Sequence, residues 1–306
     1  MKRVGALLGA VVMVVAALAA RGTFSDDGGS AAADDAGGLV CPTEFRPICQ
    51  AGGGGRVERA GITADALVAD EVTLEDEVWI VPAAWARLVI DERARLGLDP
   101  VFEIDGSPLA SSRVVLAIWT SRSEQLTDAC GRSVDWTCIA SQDGTTLAEG
   151  DRVRSAAPPV DSATGLSVAA AQAANLLGRG DFAANDFDGT FNSLASRLAG
   201  GQQDDPITTM RTQGPGRITA TGAVAADTTN LSTNFGTITP TIDIDPAVRV
   251  DVVALVRSGT SLGDDARAAL QTALTEAGWA LPESGPDGLP AGGVLAALRT
   301  FWNENR

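Results

Sequence analysis

The chain has 306 residues, of which 45% are hydrophobic, and a formal net charge of −16, with no His, no Tyr and only one Lys. This length is comfortable for two domains with a sizeable core, and the excess of acidic residues excludes a basic nucleic-acid-binding surface. Without His or a usable Lys, an imidazole general base, a Ser-His-Asp triad, a His metal site and a lysine Schiff base are also excluded.

The N-terminal segment has the pattern of an export signal. Lys2 and Arg3 precede an apolar run from Val4 to Ala20, and Ala17-Leu18-Ala19 fits a cleavage site. We therefore predict that residues 1–20 form a signal peptide or, because the run is close to spanning length, an uncleaved membrane anchor. Either outcome predicts a secreted or envelope-associated protein that touches the membrane only through this segment.

The residues after the apolar run predict a linker. Arg21 stands where a bacterial lipoprotein would carry its lipidated Cys, so we expect no lipid on this chain. Residues 21–37 are mostly Gly, Ser, Ala and Asp, with almost nothing to bury, which is typical of a flexible linker.

Four cysteines occur as two pairs, and the two members of each pair are eight residues apart. Together with an export signal, this spacing predicts two local disulfides, Cys41–Cys49 and Cys130–Cys138. The alternative is a zinc site built from all four cysteines, which normally requires a tighter Cys-x2-Cys spacing.

The periodicity along the chain predicts strand–loop–helix units, which indicate a parallel sheet covered by helices. The predicted strands are Leu39-Val40, Arg56–Arg59, Glu77–Val81, Arg113–Trp119 and Arg249–Arg257. The predicted helices are Arg46–Gln50, Ala64–Ala69 capped by Thr63, Pro82 to about Leu96, Asn185–Leu198, Gly263–Ala277 and a closing helix that carries Leu298 and Trp302. Asp204-Asp205-Pro206 is interpreted as a turn rather than as a pair of catalytic acids.

The stretch from Ala156 to Gly178 predicts a further helix, capped by Asp161 or Ser162 and ended by Gly178. Its first turn consists of small residues up to Gly165, so unpaired amides would face outward at the positive end of the helix dipole. Such an end can hold a carboxylate or an oxyanion. The alternative is an ordinary capped helix with no ligand.

Five segments, in this order and spacing, resemble the bacterial extracellular solute-binding proteins of the type II periplasmic-binding fold. They are most similar to secreted actinobacterial members of unassigned ligand. The segments are VWIVPAAW (78–85), SPLASSRVVLAIW (107–119), PPVDSATGL (158–166), ADTTNLST (226–233) and RVDVVALV with the later AGW (249–279).

This resemblance implies a two-lobed α/β clamshell in which each lobe is a sheet flanked by helices. The first lobe would comprise residues 38–119 and 248–306, and the second lobe would comprise residues 120–247. A ligand would lie between the lobes, held by loops after strands and by helix N-termini.

The resemblance also implies which residues face the ligand: Thr43, Thr63, Pro82, Ser111, Ser112, Trp119, Ser162, Ala163, Thr164, Asp227 and Thr228. For Trp119, as for Trp85 and Trp136, the alternative to a stacking wall for a ligand is burial in a core.

The function that the resemblance implies is non-enzymatic capture of a small solute for an ABC-type importer. An oxyanion or a carboxylate is one candidate ligand class, and neither a cofactor nor a metal is predicted. The first alternative is a sensor or envelope interaction module with a degenerate cleft. The second is a carboxylate-based hydrolase, which would require two carboxylates to converge in the cleft.

Overall fold

A computed structural model describes residues 38–147, 150–228, 231–241 and 244–306. The predicted signal or anchor segment and the predicted linker lie outside these residues. Within them, no helix combines the length and the apolar character that crossing a membrane requires.

The strands of the described residues form one sheet that runs through both lobes. They are β1 (Gly38–Pro42), β2 (Gly55–Glu58), β3 (Glu77–Pro82), β4 (Phe102–Ile104), β5 (Ala110–Trp119), β6 (Ser155–Ala156), β7 (Ala220–Val224), β8 (Ser232–Thr233), β9 (Gly236–Thr241) and β10 (Arg249–Arg257). Their main order is β2-β1-β3-β10-β5-β7-β6, while β4 pairs with β10, β9 with β5, and β8 with β9. The β1, β2 and β3 strands are mutually parallel, whereas β10 is antiparallel to both β3 and β5.

Helices cover this sheet. They are α1 (Arg46–Ala51), α2 (Ala60–Val68), α3 (Ala83–Arg95), α4 (Thr120–Cys130), α5 (Trp136–Gln142), α6 (Gly165–Leu177), α7 (Gly189–Ala199), α8 (Pro206–Gln213), α9 (Asp264–Glu276) and α10 (Gly292–Glu304). The closing helix α10 packs against both α3 and α6. One apolar core consequently extends from β1, β3 and β10 into α6, while β5, α4 and α5 share a separate core.

The β5 strand belongs to both lobes. Its first residues, 110–113, pair with β10, and residues 114–118 pair with β7. One ten-residue strand therefore connects two α/β layers, which is the two-lobed architecture that the sequence predicted. The residue limits predicted for each lobe stay predictions.

Both predicted disulfides are present. The Cα atoms of Cys41 and Cys49 are 6.1 Å apart, and those of Cys130 and Cys138 are 5.7 Å apart. The first bridge fixes α1 to β1, and the second joins the end of α4 to α5. Because all four sulfurs are used in disulfides, the alternative of a zinc site is wrong.

Several helix boundaries differ from the predictions. The α2 helix begins at Ala60 rather than after Thr63, and Arg59 precedes it in extended conformation. Thr63 is therefore an internal helix residue, buried and donating from Oγ1 to Glu58 at 3.0 Å, and not a cap. The predicted turn at Asp204-Asp205-Pro206 is the start of α8, with Pro206 at the first helical position.

Candidate functional site

A concave region lies where the 3-10 turn after β1 meets the N-terminal ends of α6 and α8. Its main cavity has a volume of about 400 Å³ and is lined by Glu44, Pro158, Ser162, Thr164, Asp204, Asp205, Pro206, Ile207, Thr208, Arg211, Gly222, Ala223 and Asp227. An adjoining cavity of about 260 Å³ shares Glu44, Ser162 and Asp204 and adds Thr43, Arg59, Pro159, Asp161 and Arg306. The two cavities together are the cleft.

The main cavity of the cleft is acidic. Glu44, Asp204, Asp205 and Asp227 contribute carboxylates, whereas the only guanidinium among the described lining residues is that of Arg211. In the adjoining cavity, Arg59 forms an ion pair with Asp204, with 3.6 Å between Nη2 and Oδ1. The main cavity therefore keeps an excess of negative charge.

Asp227 shows how close these carboxylates come to one another. Loss of hydration in the cleft, and then the negative charges of Asp205 and Glu44, raise the pKa of Asp227 to about 6. Its side chain is accessible at the cleft surface, so it can still meet a ligand. The cleft thus brings carboxylates together from residues 44, 205 and 227, which are far apart in sequence.

Asp205 has a second role at the start of α8. It accepts a hydrogen bond from the backbone N–H of Thr208 at 2.8 Å, as an N-cap residue does. The positive end of α8 is therefore already satisfied by a carboxylate of the chain itself.

The predicted ligand-holding turn before α6 is formed differently from the prediction. The helix begins at Gly165, and the Ser162 hydroxyl accepts the backbone N–H of Gly165 at 3.1 Å. The carbonyls of Ser162 and Ala163 both accept from Trp85 Nε1, each at 3.1 Å. Ser162, Ala163 and Gly165 are buried, so the prediction of an exposed first turn is wrong for these three residues.

Tight backbone packing accounts for this burial. A Cβ atom on Gly165 would lie 1.8 Å from the carbonyl oxygen of Pro159. Thr164 is half-buried, and its side chain and that of Ser162 both line the cleft. At its other end the helix stops at Gly178, which has a left-handed conformation as the sequence predicted.

The remaining predicted ligand-facing residues fall into two groups. Thr43 and Asp227 line the cleft. The others make internal contacts. Pro82 is buried at the end of β3, and the Ser111 hydroxyl donates to Asp251. The Ser112 hydroxyl accepts from the amide of Ala226, and the Thr228 hydroxyl donates to the carbonyl of Ala225. Their predicted contacts with a ligand stay predictions.

The three tryptophans singled out by the sequence are core residues. Trp119 is fully buried and donates from Nε1 to the carbonyl of Ile218 at 2.9 Å. Trp85 and Trp136 are also fully buried. The alternative of core packing is confirmed for all three, because none of them presents a ring face to solvent.

The sequence interpretation missed Glu44, Asp204, Asp205 and Arg211. For Asp205 a signal existed, because Asp followed by Pro is a common way to begin a helix. Glu44 carries no such signal, since its position in the cleft depends on a turn that only the tertiary fold defines. In the part of the chain that the structure describes, no group of three His, Cys, Asp or Glu side chains has the arrangement of a metal site.

The fold is similar to that of several solved binding proteins. The periplasmic binding protein AfuA from Actinobacillus pleuropneumoniae, solved with fructose-6-phosphate bound, matches with a TM-score of 0.51 and 14% identity over 87% of this chain and 96% of its own. A periplasmic thiamin binding protein matches with a TM-score of 0.52 and 11% identity over 87% of this chain and 95% of its own.

This is a type II periplasmic-binding fold. At identities of 14% and below, the similarity shows the two-lobed α/β architecture and leaves the ligand to be argued from the cleft. No protein-family model matches the chain, and no curated protein has a matching sequence.

Proposed function

We propose that this protein is an extracytoplasmic solute-binding protein that captures a small organic cation in the cleft and delivers it to an ABC-type importer. The observation that carries the ligand class is the excess of carboxylates in the main cavity, four against one guanidinium. The two-lobed fold and the periplasmic location of proteins with the same architecture support the role in solute capture outside the cytoplasm.

Charge distinguishes between the ligand classes found in this fold. Fructose-6-phosphate is an anion and thiamin is a cation, so the two similar proteins are described as binding ligands of opposite sign. Two unit charges 4 Å apart interact by about 4 kcal/mol at the effective dielectric of a protein surface. A cleft that holds Glu44, Asp205 and Asp227 would therefore repel a phosphate and attract an ammonium or thiazolium group.

The helix ends of the cleft agree with this assignment. A helix N-terminus favours an anion only while its amides are unpaired. Here the Ser162 hydroxyl takes the amide of Gly165, and the Asp205 carboxylate takes the amide of Thr208. The oxyanion or carboxylate expected from the sequence would find these donors occupied.

The experiment is a calorimetric titration of the protein with thiamin, spermidine and choline, and in parallel with fructose-6-phosphate, sulfate and citrate. We expect at least one cation to bind. Glu44→Gln should lower the affinity for that cation about tenfold, because one charge-assisted contact is lost. Glu276→Gln, at the exposed end of α9, is the matched control and should leave the affinity unchanged. Anion binding that Glu44→Gln strengthens, with no binding of any cation, would overturn the proposed ligand class.

A second function is favoured by the contacts that hold the lobes together. Gly61 of α2 donates its amide to the carbonyl of Asp161 at 3.1 Å, and Arg299 of α10 donates to the Asp161 carboxylate at 2.6 Å. Trp85 of α3 adds its bonds to Ser162 and Ala163. Lobes tied in this way would suit a sensor or envelope module that does not close. Small-angle scattering with and without the bound cation distinguishes the two, since closure reduces the radius of gyration.

A carboxylate-based hydrolase remains the third candidate, because carboxylates do converge in the cleft. An acid whose pKa is raised to about 6 beside other carboxylates is a pattern found in acid–base catalysis. The titrated mixtures should therefore be examined by mass spectrometry. Binding without turnover supports the solute-binding function, and conversion of a bound compound would support the hydrolase.

A further inference from the structure

A depression on the second lobe concentrates positive charge in a strongly acidic protein. It has a volume of about 480 Å³ and shares no lining residue with the cleft; its lining comprises Asp143, Gly144, Arg152, Val153, Arg154, Ser155, Ser196, Arg197, Gly200 and Gly201. Among its described lining residues, three guanidinium groups thus stand against one carboxylate, in a chain of net charge −16. We call this the basic depression.

The arginines of the basic depression are not neutralised by carboxylates of the described residues. Most described arginines form ion pairs, as Arg267 does with Asp105 and Arg249 with Asp251. The three arginines at the depression form none with the part of the chain that the structure describes, and all three are exposed. The single carboxylate there, Asp143, already accepts from the amide and the hydroxyl of Ser155 at 2.8 and 3.0 Å.

Two of the arginines are held in place by neutral acceptors. Arg152 donates from Nε to the carbonyl of Gly144 at 2.7 Å, and Arg197 donates from Nη1 to the carbonyls of Ala140 and Ser141 at 3.3 and 3.4 Å. These contacts position the guanidinium groups without cancelling their charge, and they leave further N–H donors of both side chains unused. The Arg154 side chain makes no hydrogen bond with the described residues, so its entire donor set is available.

A structural role explains only part of this arrangement. Arg197, in the last turn of α7, donates to two carbonyls in the last turn of α5, where a cation is favourable beside the helix dipole. Arg154 has no such role, because its side chain forms no hydrogen bond or ion pair with a helix end or a carboxylate of the described residues. Planar guanidinium groups with free N–H donors are the side chains best suited to bind the oxygens of phosphate.

We propose that the basic depression binds a phosphate group, at a site separate from the cleft. The group would come either from inorganic phosphate or from a small phosphorylated solute, since the volume accommodates both. An anion would therefore bind to this protein outside the cleft, whose own charge favours a cation. This inference stands independently of the function proposed for the cleft.

The test is a calorimetric titration of the intact protein with inorganic phosphate and, separately, with glycerol-3-phosphate, at about 150 mM salt so that diffuse attraction is screened. We expect binding of at least one of the two, with Arg154→Gln weakening it about tenfold and leaving the melting temperature unchanged. Tighter binding of glycerol-3-phosphate would identify a phosphorylated solute as the ligand, and equal binding would identify the phosphate group itself.

Three comparisons make the outcome decisive. Arg197→Gln should weaken phosphate binding as well. Arg217→Gln should not, because Arg217 lies outside the depression; it is likewise exposed and forms no ion pair with described residues. Glu44→Gln changes the cleft and should leave phosphate binding intact. Absence of binding at millimolar phosphate and glycerol-3-phosphate, or binding that Arg217→Gln weakens as much as Arg154→Gln, would overturn the proposal without affecting the function of the cleft.

Discussion

Replacing Asp227 with Asn should change two quantities in opposite directions: the free energy of unfolding should rise, and the affinity of the cleft for a cation should fall. The ordinary pKa of an Asp side chain is 3.8, and dehydration with the charges of Asp205 and Glu44 raises the pKa of Asp227 to about 6. A pKa that is higher in the folded state means that folding penalises the ionised form. The penalty is absent below about pH 4, grows between pH 4 and 6, and is complete above pH 6.

The size of the penalty follows from the shift and from the exposure of the side chain. A rise of this size would cost about 3 kcal/mol for a fully dehydrated carboxylate. Because Asp227 remains accessible at the cleft surface, solvent screening reduces the cost to about 1 kcal/mol. We therefore expect Asp227→Asn to raise the free energy of unfolding by about 1 kcal/mol at pH 7 and to leave it unchanged at pH 4.

The assay is urea denaturation of both proteins at a series of pH values from 4 to 7, followed by titration with the cation found for the cleft. The variant should be more stable at pH 7 and should bind the cation about tenfold more weakly, since one charged contact is lost. Asp76→Asn, at an exposed position outside the cleft, is the control and should change neither quantity. A variant that is less stable than the parent at pH 7, or a stability difference that does not vary with pH, would refute the reasoning.

Two further predictions concern the contacts beside the cleft. Gly165→Ala should lower the free energy of unfolding by about 3 kcal/mol, because the added Cβ would overlap the carbonyl of Pro159. Gly293→Ala is the control, since Gly293 also lies in a first helical turn but has open space around it, and this variant should be neutral or stabilising. Thermal melting measures both effects. Arg299→Met should lower the free energy of unfolding by about 2 kcal/mol in urea denaturation, because loss of this partly buried guanidinium leaves two carboxylates without their ion pair. Arg257→Met removes only an exposed ion pair and should lower it by less than about 1 kcal/mol. Equal effects within either pair of variants would contradict the structural explanation.

The sequence predicted the fold well where local pattern and burial coincide. β3 and β10 are continuous apolar runs that are buried in the sheet, and their residues were assigned to strands with nearly correct limits. The two disulfides were predictable because each joins cysteines close in sequence. Short helices such as α5 and α8 were missed, since seven or eight residues carry too little periodicity to distinguish a helix from a turn.

The site was predicted less well, because the cleft depends on residues that only the tertiary fold brings together. Thr43, Thr164 and Asp227 were among the predicted residues that line it, but Glu44 and Asp205, which determine its charge, were not. A helix N-terminus in the sequence indicated an anion. That inference assumed unpaired amides at the start of α6, whereas the Ser162 hydroxyl accepts the amide of Gly165 there.

The order of the strands has a consequence for how the chain is made. β10 lies between β3 and β5 in the sheet, yet it is synthesised after both and after every other strand of the described residues. The sheet therefore lacks a central strand until the ribosome has passed residue 257, and pairing across such long sequence separations is slow. A nascent chain that cannot finish its sheet early therefore leaves exposed, for longer, the edges of β3 and β5 that β10 later pairs.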